Sequence, residues 1–307
     1  MTTDLQSRTE ASLALLDQFL ARNRALTPVR SRLLDLAHEG VATVALGGKH
    51  LRSRLVHLSA GEVGGGHRHA ATVFGASVDL LHAAFLIHDD IIDEDDLRRG
   101  QPTIHARVQR ESGDAHLGTS IALAAGDLAL NGAVQLLVEG GLDEGLVRPA
   151  LVALTAAVNE TVTGEILDVA HRAQTRPEPE LVRMSNLLKT GEYSFGLPLK
   201  LGALAAGRDP AAMGPLAQAL GAAYQAADDI AGAHAGNDIE QHRVTLVTVR
   251  LAAGRDLAGA TSGTAAEGER HLAEARAHID AAGLPGQIRD GLHGITDRIG
   301  ATLRAHL

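Results

Sequence analysis

Apolar residues recur at three- and four-residue intervals along most of this chain. Leu13, Leu16, Phe19 and Leu20 predict a helix near the start, and Val73, Ala76, Val78, Leu80, Leu81, Ala84 and Phe85 predict a longer one. Strand-like alternation is nowhere sustained. Ala and Leu, both strong helix formers, are abundant, whereas aromatic residues make up only 2% of the chain. The pattern predicts an all-α protein. Short Gly or Pro clusters punctuate it at Gly47-Gly48, Gly64 to Gly66, Gly140-Gly141, Pro177 to Pro179 and Gly207 to Pro210, none long enough to link independent domains. The small-residue stretch Gly259 to Thr264 reads as a turn before the last helices. The expected architecture is one domain over residues 1–307, a bundle of long helices.

Composition narrows the function classes. With 45% hydrophobic and 21% charged residues, 307 residues can bury a globular core. A net charge of -9 argues against a nucleic-acid binder, because phosphate backbones demand a basic face. Cysteine is absent, which excludes disulfides, thiolate metal sites and a cysteine nucleophile and fits a reducing compartment such as the cytoplasm. The first residues are polar and acidic and lack the order of a secretory signal. The most apolar segment, Leu117 to Val138, is interrupted by Asp127 and Asn131 and reads as a buried core helix, so no membrane span is expected.

The chemistry concentrates in LIHDDIIDEDDLRRGQPT, Leu86 to Thr103, where six carboxylates fall within the eight residues Asp89 to Asp96. Carboxylates this crowded repel one another, so either solvent or a bound cation relieves them. On a helix Asp89 and Asp93 share a face one turn apart, with Asp90 turned about 100° away. Oxygen-only ligation at that spacing suits Mg²⁺, which completes its octahedron with water and substrate phosphate. Arg98 and Arg99 come next, and guanidinium forks bind phosphate oxygens. A solvated charge run is the plainer alternative. The apolar residues Leu80, Leu81, Phe85, Leu86 and Ile87 oppose it, since they drive the helix into the core and point its acidic end at an interior or a cleft. A second pair, Asp228-Asp229, stands at the end of another apolar helical stretch. Gly47-Gly48-Lys49-His50-Leu51-Arg52 reads as a Gly pair opening a helix, with Lys49 and Arg52 one turn apart and suited to an anion.

Together these residues resemble the trans-isoprenyl diphosphate synthases, or polyprenyl synthetases, the all-α enzymes that build farnesyl, geranylgeranyl and related diphosphates. The resemblance runs from about Gly47 to about Leu246. Asp89-Asp90-Ile91-Ile92-Asp93 resembles the first aspartate-rich motif of that family, and Leu97-Arg98-Arg99-Gly100 with Pro102-Thr103 resembles the segment on its C-terminal side. Thr163 to Asp168 is similar to a mid-chain motif that usually reads Gly-Gln, Lys189-Thr190 to a pair that reaches the allylic diphosphate, and Tyr224-Gln225 to Asp229 to the start of the second aspartate-rich motif. The resemblance implies a helical bundle around a central cavity, a homodimer, and Mg²⁺-dependent head-to-tail condensation of isopentenyl diphosphate with an allylic diphosphate. It implies three Mg²⁺ ions held chiefly by Asp89, Asp93 and Asp228, with Asp90 and Asp229 in support. Arg98, Lys189, Thr190, Gln225 and Arg243 would serve the allylic diphosphate, and Lys49, Arg52, His82 and Arg99 the isopentenyl diphosphate. Phe85, with Ala84 beside it, would floor the product tunnel and limit products to C15 or C20.

Two departures stand against the matches. Position 232, where the second motif usually ends in Asp, is Gly232, and the loop Ala233 to Gly236 carries no lysine. Arg243 stands where a further lysine is expected. Three rivals remain beside the synthase. One is a class I terpene cyclase or an irregular prenyl-coupling enzyme; a cyclase would favour more aromatic faces than this chain, with no Trp, two Tyr and four Phe, can offer. A non-catalytic partner subunit would suit Gly232 but not the intact first motif. A di-iron bundle would need Glu-x-x-His pairs that the histidines do not form.

Overall fold

The apolar periodicity becomes helix along nearly the whole chain. The structure is a computed structural model that describes residues 2–172, 178–236 and 243–305. The helices are α1 Thr2–Leu26, α2 Arg32–Ala45, α3 Leu51–Ala60, α4 Gly65–Ile92, α5 Ile104–Ser112, α6 Ala115–Glu139, α7 Glu144–Arg172, α8 Pro179–Asn186, α9 Leu197–Ala205, α10 Gly214–Ala235, α11 Leu246–Ala252, α12 Leu257–Ala281 and α13 Gly286–Arg304. A π-helix, Leu187–Gly196, joins α8 to α9. The described residues contain one two-stranded hairpin, β1 Leu97–Arg98 with β2 Gln101–Pro102. The chain falls into two compact units, Met1–His57 with Val63–Leu151, and Leu58–Glu62 with Val152–Leu307.

In the first unit α4 is the central element, packed against α1, α2 and α6. Its Leu80, Leu81 and Ile87 are all at most 1% exposed, and burial of each stabilises the fold by about 1.5–3 kcal/mol. The α4 and α6 backbones approach closely because α6 presents Ala122, Ala125, Gly126, Ala129, Gly132 and Ala133 at helical spacing. A Cβ at Gly126 would stand 2.2 Å from His88 Nε2, and one at Gly132 would stand 2.9 Å from Leu80 Cδ2. The expectation of a buried core helix holds for this face only, because Leu123, Leu128 and Val138 of α6 are exposed. Three described helices, α4, α6 and α7, are long and apolar enough to cross a membrane. Their most apolar windows are 78%, 44% and 28% buried in turn, so composition alone did not separate a core helix from a span.

In the second unit α10 is central, flanked by α12, the π-helix and α13. Asp228 and Asp229 do not end this helix, which runs on to Ala235 and is capped by Gly236 at φ +82. Nor is Gly259 to Thr264 a turn. It lies inside α12, where Ala260, Thr261 and Thr264 are buried, because small side chains let this helix lie close against its neighbours. The same demand acts at Gly268, whose Cβ would meet Leu303 Cδ2 at 2.8 Å and Ala226 Cβ at 3.2 Å.

Candidate active site

The acidic end of α4 is shaped by the hairpin on its C-terminal side. Asp93 caps the helix, its N–H donating to the Asp89 carbonyl at 2.8 Å, so the two carboxylates stay one turn apart. The chain then reverses at Arg99-Gly100, where φ is +53 and +75. Positive φ at both central residues is the requirement of a type I′ hairpin turn, and glycine meets it without strain. The reversal folds Arg98 back onto α4. Its Nε donates to Asp90 Oδ1 at 2.5 Å and its Nη2 to Asp89 Oδ2 at 3.4 Å. Asp90 is buried, which pushes its carboxyl up to about 6 against the opposing pull of Arg98, with Asp89 and Asp95 adding to the rise. Behind the hairpin, α2 and α5 close a cavity of about 440 Å³ walled by Leu36, Val44 and Ile104, with Asp90, Arg98 and Arg99 at its edge.

Arg99 lies against the Gly47-Gly48 turn. A Cβ at Gly48, whose φ is +103, would fall 2.6 Å from Arg99 Nη2, so only glycine leaves room for the guanidinium. The Gly pair does not open α3 directly, contrary to expectation. Helix α3 starts at Leu51, and Lys49 and His50 precede it, with His50 at φ +50. This unusual conformation is held by a residue the sequence did not disclose. Asp79 of α4, 4% exposed, accepts from His50 Nδ1 at 2.9 Å and from the Ser53 N–H at 3.3 Å. The one available signal was a carboxylate inside the apolar run of α4. His82 stands one turn further along. Burial, and then Arg52, Arg99, Arg98 and His50 around it, hold its imidazole well below the usual histidine range and therefore neutral at pH 7. Arg52, His82, Arg98 and Arg99 are thus brought into one cation-rich neighbourhood beside Asp89 and Asp90. Lys49 is exposed on the same loop. Phe85 is half-buried one turn before Asp89, and Ala84 is fully buried.

In the second unit the π-helix carries Lys189 and Thr190. Its wider coil is uncommon and tends to mark functional segments. Two glycine approaches fix its position: a Cβ at Gly164 would meet Lys189 N at 2.2 Å, and one at Gly221 would meet Gly191 Cα at 2.6 Å. Lys189 Nζ donates to Asp168 Oδ2 at 3.0 Å and lies 2.9 Å from Glu165 Oε2. Thr190 Oγ1 donates to Gln225 Oε1 at 2.8 Å, and Gln225 Nε2 donates to Asp229 Oδ1 at 2.7 Å. The other Asp229 oxygen accepts the Leu246 N–H at 2.8 Å. Asp229 is therefore committed on both oxygens and 1% exposed, while Asp228 beside it is exposed. Arg243 is half-buried and its carbonyl accepts from Thr248 Oγ1 at 2.9 Å. Residues 237–242, on which part of the expected second-motif region falls, lie outside the described residues.

Among the described residues no three His, Asp or Glu side chains converge as a ready-made metal cage. The donors that reach solvent, Asp89 and Asp93 in the first unit and Asp228 in the second, are hard oxygen ligands. Taken unit by unit, such carboxylates fit Mg²⁺, which is bound through one or two carboxylates together with substrate phosphate.

Comparison with known proteins bears on this arrangement. The sequence pattern of the polyprenyl synthetase family matches residues 36–261. A short chain isoprenyl diphosphate synthase of Methanothermobacter thermautotrophicus is 30% identical over 220 residues, which cover 67% of this chain and 64% of that protein. A geranylgeranyl diphosphate synthase of Sulfolobus acidocaldarius is 31% identical over 66% of this chain and 63% of its own length. The matches thus span somewhat under two thirds of these curated relatives. The crystal structure of a geranylgeranyl pyrophosphate synthase from Corynebacterium glutamicum, complexed with isoprenyl diphosphate and magnesium, superposes with a TM-score of 0.85 at 25% identity, covering 96% of this chain and 99% of that one. The chain belongs to the polyprenyl synthetase family.

Proposed function

We propose that the protein is a Mg²⁺-dependent trans-prenyltransferase that condenses isopentenyl diphosphate head-to-tail with an allylic diphosphate to give a C15 or C20 prenyl diphosphate. The observation that carries this reading is the cation-rich neighbourhood of Arg52, His82, Arg98 and Arg99 set directly beside Asp89 and Asp90. One diphosphate needs cations, and another needs carboxylates that hold metal. The relatives named geranylgeranyl and short chain isoprenyl diphosphate synthase support the same substrate class. The family pattern runs through both compact units, which supports treating residues 1–307 as one functional domain.

Asp89, Asp93 and Asp228 would hold Mg²⁺, three ions in all, with Asp90 and Asp229 holding their neighbours in place. Bound Mg²⁺ would neutralise the leaving pyrophosphate and so lower the barrier to ionisation. Arg98, Lys189 and Arg243 add positive charge for that leaving group, and Thr190 and Gln225 orient the segment that carries Lys189. Lys49, Arg52 and Arg99 hold the second diphosphate. A neutral His82 donates a hydrogen bond to it without adding charge. Gly232 removes one carboxylate from this set, so ionisation is slower than in a chain with the complete motif.

The exposed Leu123, Leu128 and Val138 of α6 and Val152, Val162, Ile166 and Val169 of α7 support a homodimer in which a second copy covers these faces. The lack of cysteine accords with a cytoplasmic enzyme. The test is incubation of purified protein with Mg²⁺, isopentenyl diphosphate and each of the C5, C10 and C15 allylic diphosphates, with products resolved by mass. A lengthened prenyl diphosphate is expected. A cyclic hydrocarbon from the allylic substrate alone would identify a cyclase, and metal-dependent diphosphate binding without turnover would overturn the transferase reading.

A further inference from the structure

Lys189 is held between two carboxylates, and one of them is a departure of this chain. Helix α7 places Glu165, Asp168 and Arg172 at i, i+3 and i+7, on one face. Lys189 Nζ is 2.9 Å from Glu165 Oε2 and 3.0 Å from Asp168 Oδ2, while Arg172 Nη2 is 3.7 Å from Asp168. The approach is not incidental. Gly164, beside Glu165, lets the Lys189 backbone come so close that a Cβ there would stand 2.2 Å from Lys189 N. Any side chain at position 164 would force the π-helix, and Lys189 with it, away from these acids. Glu165 stands where the resembling motif carries a neutral glutamine, so a full negative charge replaces an amide against the lysine.

We propose that Glu165 sets the affinity of the enzyme for diphosphate by competing with it for Lys189. The inference rests on the reading that Lys189 serves the allylic diphosphate. A diphosphate reaching Lys189 must draw the ammonium from Glu165 and bring its own negative charge toward a carboxylate. Both effects raise the concentration at which the allylic substrate binds. Asp168 exerts less opposition, because Arg172 balances its charge. The residues proposed for isopentenyl diphosphate, Lys49, Arg52, His82 and Arg99, belong to the first unit, whereas Glu165 pairs with the lysine proposed for the allylic side.

Titration calorimetry of inorganic pyrophosphate into the full chain, with Mg²⁺ present, reads the competition directly. Glu165→Gln keeps the shape of the side chain and removes the charge, and pyrophosphate should bind about fivefold more tightly, the worth of one partly exposed ion pair. KM for the allylic diphosphate should fall by a similar factor while KM for isopentenyl diphosphate stays unchanged. Glu165→Asp, which withdraws the carboxylate by one methylene, should give a smaller gain. A residue that only supports the fold would lower Tm on substitution and weaken binding. Unchanged or weaker pyrophosphate binding in both variants therefore overturns the proposal. If wild type and variants alike bind pyrophosphate but transfer no prenyl group, the transferase reading fails while the titration still decides the role of Glu165.

Discussion

Asp229 accepts the Leu246 N–H at 2.8 Å, tying the C-terminal part of α10 to the first residue of α11. With Gln225 on its other oxygen, this carboxylate is occupied by protein, whereas Asp228 is exposed. The adjacent aspartates thus differ in burial, Asp229 being enclosed and Asp228 facing solvent. Asp229→Ala strands a buried N–H and an amide donor and should cost about 2–3 kcal/mol in denaturant unfolding, with activity falling as well. Asp228→Asn should leave the unfolding midpoint within about 0.5 kcal/mol of wild type while abolishing most turnover. Equal loss of stability in both would show that the division is wrong.

Product length tests the α4 face. Phe85 lies one turn before Asp89 and is half-buried, while Ala84 is packed with 0% exposure. On the proposal that Phe85 floors the product tunnel, Phe85→Ala should lengthen the product by at least one C5 unit, read by mass spectrometry. An unchanged product distribution would make Phe85 an ordinary packing residue.

Acid lability should begin at His57. Its Nε2 meets Ser12 Oγ at 2.8 Å, and the Ser12 hydroxyl in turn donates to the Thr72 carbonyl at 2.9 Å, inside the packing of α1, α3 and α4. Burial, with Arg8 and Arg68 adding to it and Asp4 opposing, lowers the imidazole to about 4. Between pH 6.5 and 4 the unfolded chain takes up a proton that the folded chain refuses. Stability should therefore fall with pH across that window, by up to about 3 kcal/mol. His57→Leu should flatten this limb of the pH–stability curve, and an unaltered slope would exclude His57 as its source.

A buried carboxylate holds α11 in place. Glu267, 6% exposed at its side chain, takes Arg183 Nε at 2.6 Å and Arg250 Nη2 at 2.5 Å. Burial alone would raise its carboxyl, but the hydrogen bonds and charges of the two arginines prevail and lower it to about 2. Its contribution is complete above about pH 4.5 and is lost as pH falls toward 2. Arg250→Ala should cost about 2 kcal/mol at pH 7 and also weaken activity, because Arg250 shares a short helix with Leu246. A loss of stability with full activity would separate α11 from the site.

The helix class was legible because period-3.6 spacing is repeated over long stretches, and the Asp89 to Asp93 cluster because so many carboxylates need a reason. Local geometry was not legible where it depends on few residues. Two-residue strands carry no alternation, so the hairpin that turns Arg98 onto Asp90 left no trace beyond Arg99-Gly100. Asp79 is a lone carboxylate in an apolar helix, and only its distances to His50 and Ser53 reveal that it orders the Lys49 loop. Small residues misled in the other direction: Gly259 to Thr264 has the composition of a turn, yet close packing requires the same residues inside a helix. Lys189 and Glu165 are 24 residues apart in the chain, and nothing in their spacing announces an ion pair.

The π-helix from Leu187 to Gly196 has a consequence for how this protein tolerates insertion and deletion. A coil closed by i→i+5 bonds holds more residues per turn than an α-helix, so it can absorb a one-residue change of length within itself. Removing a single residue ahead of Lys189 would let the segment relax toward α-helix and keep α9 in register, while turning the residues inside the segment by about 100° about its axis. Thr190 would leave Gln225, and Lys189 would leave Glu165 and Asp168. Length variation that would disrupt most helices could pass here as a folded protein in which Lys189 and Thr190 have lost their partners on α7 and α10.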